Sequence, residues 1–148
     1  MKMFFAILLG AFAIGIMISG AFFYLGQKSQ NGAAPGLVDG ALAPCPGSPN
    51  CVVSEAHSDE KHRIDPLPLA AWEKIPDALA SAGGEVATVD ETYIAATFAS
   101  KTFGFVDDVE FRKSESEVHV RSASRVGYSD RGVNRARVEA LRASLAGS

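Results

Sequence analysis

The sequence predicts an α+β protein, an antiparallel four-stranded sheet with two helices on one face, preceded by a single N-terminal transmembrane helix. Three observations predict it. Residues 3–25 contain no charged side chain and are almost entirely apolar. Apolar residues recur at helical spacing over residues 69–82 and again over residues 133–145. Between those stretches, four short runs alternate apolar with polar residues, as half-buried strands do.

As a helix, residues 3–25 would rise about 34 Å, enough to cross the hydrocarbon core of a bilayer. A signal peptide cut after Ala21 is the competing reading. Its apolar region would be shorter, about 7–15 residues, whereas here the run continues through Phe22, Phe23, Tyr24 and Leu25. Tyr24 at the end of the run suits an interfacial anchor. An uncleaved anchor is therefore the preferred reading, with residues 3–25 as the membrane contact. Lipid attachment at Cys45 is chemically unsuited, because Pro44 precedes it and the cysteine lies far beyond the apolar run. The two-residue positive head, Lys2 with the α-amino group, favours a single-pass protein of the cell membrane with its soluble domain on the extracytoplasmic, periplasmic side. Ala11, Gly15 and Ser19 repeat every four residues on one helix face, the pattern that lets two membrane helices approach, so weak self-association is a further expectation.

Residues 27–43 are rich in Gly, Ala and Ser, with Lys28 and Asp39 as their only charges. They read as a flexible spacer between an anchor at 1–26 and a soluble domain at 44–148, which is long enough for one modest core. Cys45 and Cys51 bracket Pro46-Gly47-Ser48-Pro49-Asn50, a short turn-forming loop whose thiols close into a disulfide readily outside the cytosol. Such a closure stabilises by about 2.4 kcal/mol on chain-entropy grounds. Free thiols, or a metal site recruiting His57 and His62, are the alternatives, though the gap between the cysteines is long for zinc.

Within the domain, Pro66 and Pro68 break the chain before a helix carrying Leu69, Trp72, Ile75 and Leu79, which Pro76 must bend or divide and Gly83-Gly84 must end. Residues 85–89 and 92–99 read as a strand pair turning at Asp90-Glu91. A third strand over residues 107–113 directs Val109 and Phe111 inward, and Asp108, Glu110 and Arg112 outward. A fourth covers 119–124, continuing an inward side from Val118 and Val120. After a loop, Ser129 or Asp130 can cap a last helix with Val133, Ala136, Ala140, Leu141 and Leu145 on its buried stripe.

Charge is partitioned along the domain. Residues 55–117 carry fourteen acids and six bases, and residues 121–142 carry six arginines, no lysine and only Asp130 and Glu139 in opposition. An all-arginine run calls for planar, bidentate donors, either toward carboxylates of the same fold or toward an anionic ligand. The candidate binding residues are Arg121, Ser122, Ser124, Arg125, Asp130, Arg131, Asn134, Arg135 and Arg137, at a corner where a strand, a loop and a helix start meet. Arg121 and Arg125 are expected to brace that corner against Asp108 and Glu110. Arg131 and Arg135 are expected to face away from the buried stripe.

Other chemistry is thinly represented. Asp108 and Glu110 share a strand face about 7 Å apart, the spacing of a carboxylate pair that could serve a hydrolase or a cation. His119 could serve Ser122 or Ser129 as a base. No catalytic motif, resident metal site or cofactor signature is present, and a net acidic domain outside the cytosol excludes nucleic-acid binding.

Cys45-Pro46, Ser48-Pro49-Asn50-Cys51, Trp72, Asp107-Asp108, Glu110, and the series Arg121-Ser122, Ser124-Arg125, Gly127, Asp130, Gly132, Asn134 and Arg137 together resemble the domain-of-unknown-function 1499 family over residues 44–145. Val53 stands where that pattern has a serine, and Arg131 where it has an apolar residue. The resemblance implies small proteins, often secreted or membrane-tethered, with no established activity. The function expected is a membrane-tethered envelope module, non-enzymatic, that engages an anionic group or a partner protein through the arginine corner. The rival is a hydrolase using Asp108 and Glu110 with arginine clamps.

Overall fold

The computed structural model describes residues 2–147. Met1, the side chain of Lys2 and Ser148 lie outside the described residues, and with them the positive head on which the predicted orientation rests.

Helix α1 (Lys2–Gln30) carries the apolar run and continues beyond it. It is long and apolar enough to cross a membrane, and none of its most apolar stretch is buried against the rest of the chain. A small hairpin follows, β1 (Leu37–Val38) with β2 (Ala41–Leu42). Asp39 and Gly40, both at positive φ, make its turn. The domain proper then runs β3 (Cys51–Val53), β4 (Leu67–Pro68), a 3-10 helix (Leu69–Lys74), α2 (Ile75–Ser81), β5 (Glu85–Val89), β6 (Tyr93–Ala99), β7 (Val106–Lys113), β8 (Glu117–Ser124) and α3 (Val133–Ala146). Pro76 divides the first predicted helix as expected. The 3-10 turn ends at Lys74, and the proline occupies the first turn of α2, where its missing N–H costs nothing.

The α+β class is observed, but the sheet is larger than predicted. Six antiparallel strands lie in the order β3-β8-β7-β6-β5, with β4 also pairing β8, beside β3. The additional strands have two and three residues, too short to show alternation. They form because β8 is buried, and its outer edge must find backbone partners. Val53 to Arg121 and Leu67 to Val118 supply them in succession.

The register Ala96–Val109 and Phe111–Val120 places apolar side chains together on one face. That face, with Trp72, Ile75, Leu79, Val138 and Leu141 from the helical segments, forms the core. The α3 stripe is rotated from the expected one. Asn134, Val138, Leu141 and Leu145 point inward, while Val133, Ala136 and Ala140 are exposed. Asn134 is drawn in because its amide is fully used beneath the helix, as described below.

The opposite face holds Asp108, Glu110, Arg112, His119 and Arg121, and it is not open to solvent. Of residues 27–43, read as a flexible spacer, the first belong to α1, and residues 33–43 lie across this face: the Gly36 N–H donates to Glu110 Oε1 at 2.9 Å, and the Leu42 N–H to Glu55 Oε1 at 3.0 Å. Cys45 and Cys51 are joined as a disulfide, Cα to Cα 5.7 Å, which ties the end of this strap to β3. With both sulfurs so engaged, the four-ligand metal alternative is not assembled.

Candidate functional site

Strand alternation decides where each polar residue of β7 and β8 goes. Glu110 lies directly opposite Arg121 in the ladder, and Asp108 opposite Ala123, two residues short of Arg125. Arg121 Nη1 donates to Glu110 Oε2 at 2.9 Å. Arg125 binds Asp108 through two parallel bonds, Nε at 2.8 Å and Nη2 at 2.7 Å, and this bidentate fork raises the arginine's affinity for its proton. Asp108 is 3% exposed and Glu110 0%. Glu110 also accepts the Tyr93 hydroxyl at 2.7 Å. Burial first, and then that carboxylate, push the phenol far above its ordinary pKa.

A further pair completes the ladder. Arg112 Nε and Nη2 each reach a Glu55 oxygen at 2.8 Å, with His119 Nδ1 3.6 Å from the same carboxylate. Burial pushes the Glu55 carboxyl up. The Arg112 bond, the Leu42 N–H and the His119 charge outweigh this and hold it below its usual value.

On the helix side the corner is a closed polar knot centred on Asn134, which is 1% exposed. Its carbonyl oxygen accepts Ser122 Oγ at 2.6 Å and Arg137 Nη1 at 2.8 Å. Its amide donates to Asn50 O, Ser124 Oγ and Asp130 Oδ2. Arg137 reaches Asp107 with its other terminal nitrogen at 2.7 Å and stacks its guanidinium over Phe98 at 4.6 Å. Asp130, rather than Ser129, serves the start of α3, accepting the N–H groups of Gly132 and Asn134. Burial acts against its ionisation, yet those bonds outweigh it and keep the carboxyl below the usual range.

The nine candidate residues therefore separate. Arg121, Ser122, Ser124, Arg125, Asp130, Asn134 and Arg137 are engaged with one another or with Glu110, Asp108 and Asp107. Arg135 lies on the exposed side of α3, and its guanidinium bonds the backbone oxygens of Arg63 and Lys61. Arg131 is exposed, held at φ 55° in the turn before Gly132. Among the described residues its guanidinium has no hydrogen-bond or ion-pair partner. Tyr128, in the same loop, is 74% exposed. His119 and Ser122 stand three residues apart on β8, an odd separation that puts them on opposite faces, so that base–hydroxyl pairing is not assembled.

Sequence reasoning missed Glu55, Tyr93 and Asn50 as participants. Glu55 meets Arg112 across 57 positions, a separation no spacing rule connects. Asn50 had a visible signal, its place between the cysteines, but what it does is bond Ser124 at the end of β8 and Gly127 in the loop that follows.

The family model described as "Protein of unknown function (DUF1499)" matches residues 41–145. No curated protein and no solved structure matches the chain.

Proposed function

Because the chain belongs to the DUF1499 family of proteins of unknown function, its fold arrives without an assigned activity, and we propose a non-enzymatic module, tethered to the cell membrane by α1 and displayed on the periplasmic side. It engages an anionic group or a partner protein through the solvent-facing end of the arginine corner. The observation that carries this reading is the division among the corner's arginines: Arg121, Arg125 and Arg137 are held by carboxylates, whereas the guanidinium of exposed Arg131 has no partner among the described residues and that of exposed Arg135 bonds only backbone oxygens. The disulfide supports an oxidising compartment. Ala11, Gly15 and Ser19 remain the face by which two anchors would associate.

The hydrolase alternative has less to recommend it. Asp108 and Glu110 are both buried, each already bonded to an arginine, and Glu110 is also covered by the strap. Turnover of ester, phosphate or glycoside substrates that vanished in Asp108→Asn would favour it instead.

Thermal melting in millimolar phosphate against chloride of matched ionic strength tests the binding reading, since a ligand of the native state raises its apparent stability. Wild type should gain melting temperature in phosphate. Arg131→Ala/Arg135→Ala should stay folded and lose the gain. An anionic group is excluded as the ligand if wild type shows no gain from phosphate or from acidic lipid headgroups.

A further inference from the structure

The loop joining β6 to β7, residues 100–105, leaves the domain on the side of α1 and packs along that helix. Phe103 stacks on Phe22 with ring centroids 5.4 Å apart, and Phe105 meets both rings edge-on at 6.2 Å. The backbone oxygen of Phe103 sits so close to Gly26 that any Cβ there would collide with it. Above this contact, Ser29 Oγ accepts the Val106 N–H at 3.1 Å, and Gln30 Nε2 donates to Gly104 O at 3.3 Å. Phe22, Gly26, Ser29 and Gln30 fall at helical spacing on one face of α1, so the loop and the helix end form a single docked unit.

That docking fixes a depth. Thr102 and Phe103 also line a groove with Ser19, Gly20 and Phe23. Ser19 lies about 9 Å of helix rise before Leu25, where the apolar run ends. A helix placed in a bilayer by residues 3–25 therefore carries the tip of this loop below the headgroups. The residues suit that position. Phe103 and Phe105 are only half-buried, Lys101 is exposed and long enough to reach lipid phosphates, and the segment carries no acid.

We infer that residues 101–105 form a second membrane contact, with Phe103 inserted among lipid acyl chains beside α1, so that the domain is seated on the outer leaflet rather than swinging on a spacer. This rests on the reading that α1 spans the membrane. The occupant is the bilayer itself, because the helix face to which the loop is docked continues into the apolar run.

Tryptophan quenching by lipids brominated on the acyl chain tests it in the full chain reconstituted into vesicles. Trp72 is the sole native tryptophan and lies in the domain core, so wild type gives the baseline. Phe103→Trp should lose emission to a degree comparable with Phe12→Trp, and Val89→Trp, at the far end of the sheet opposite Ile94, should lose none. Quenching of Phe12→Trp without quenching of Phe103→Trp overturns the inference and leaves the anchor standing. An unquenched Phe12→Trp overturns the anchor and the inference together. A nitroxide on Thr102→Cys leaves the Phe103 packing intact. It should collide more with oxygen than with a water-soluble nickel chelate, and the reverse order would also overturn the insertion.

Discussion

The two faces of the sheet are built from the same strands and are both buried, but they are filled by opposite chemistry. Under α2 and α3 lie Val109, Phe111, Val118 and Val120, which need only shape and exclusion from water. Under the strap lie Glu110–Arg121 and Glu55–Arg112, and against the end of α1, where Arg125 also bonds the Ser29 carbonyl, lies Asp108–Arg125. Each carboxylate must be matched by donors or the face cannot be covered at all. A misfit on the apolar face costs in proportion to the volume lost, whereas removing one partner on the ionic face leaves a whole charge uncompensated. In an arginine run that resembles a ligand site, Arg121, Arg125 and Arg137, half of its members, are the counter-charge of the domain's own acidic strand.

Breaking one pair should therefore cost as much as hollowing the core. Arg121→Ala leaves Glu110 buried without its counter-charge, with an expected loss of about 3–5 kcal/mol. Phe111→Ala on the other face should lose a similar amount, about 3–5 kcal/mol, through a cavity. Urea unfolding of both variants compares them directly. If Arg121→Ala fell far short of Phe111→Ala, the ionic face would be solvated in practice and the comparison would collapse.

Next in size is the polar knot. Asn134→Ala removes the group that satisfies Ser122, Arg137 and the Asn50 carbonyl together, and about 1–3 kcal/mol should be lost. Asn134→Leu should be no better, because the loss is of partners rather than of volume. A leucine variant as stable as wild type would make the knot dispensable.

The ionic face and the polar knot depend on pH, whereas the apolar core does not. The folded-state pKa values of Glu55 and Asp130 are lowered, so their contribution is present in full above the ordinary values of 4.5 and 3.8 and is lost as pH falls through the folded ones. Tyr93 is raised, so its contribution is present below about 10 and fades as pH climbs past it. Stability should be level near neutrality and decline in acid below about pH 4.5. Glu55→Gln should flatten part of the acid limb, and an unchanged limb would remove Glu55 from the account.

The smallest effect expected is at Arg131. Arg131→Ala should change stability by about 0.5 kcal/mol or less. A loss approaching that of Arg121→Ala would show that the exposed end of the corner is structural too.

Much of this was legible in the sequence, for a physical reason. The alternation of Val109 and Phe111 with Asp108 and Glu110 fixed both the third strand and its two faces, and the same period in β8 put Arg121 and Arg125 beside those acids. Residues 33–43 gave no such signal. Their hold on the ionic face runs through the N–H groups of Gly36 and Leu42, and a backbone donor is the same in every sequence. The α3 stripe was misplaced because hydrophobicity alone ranks Val133 above Asn134, whereas the fold buries Asn134 for its four donor and acceptor positions. Strands of two or three residues, such as β3 and β4, carry too little period to be seen.

The central claim, that the supposed spacer is a seated strap closing the ionic face, has a direct test in amide hydrogen exchange. Gly36 and Leu42 donate their N–H groups to Glu110 and Glu55, so both amides should exchange orders of magnitude more slowly than free chain, and Glu110→Ala should release Gly36. Exchange of Gly36 and Leu42 in wild type at the rate of an unstructured peptide would contradict it.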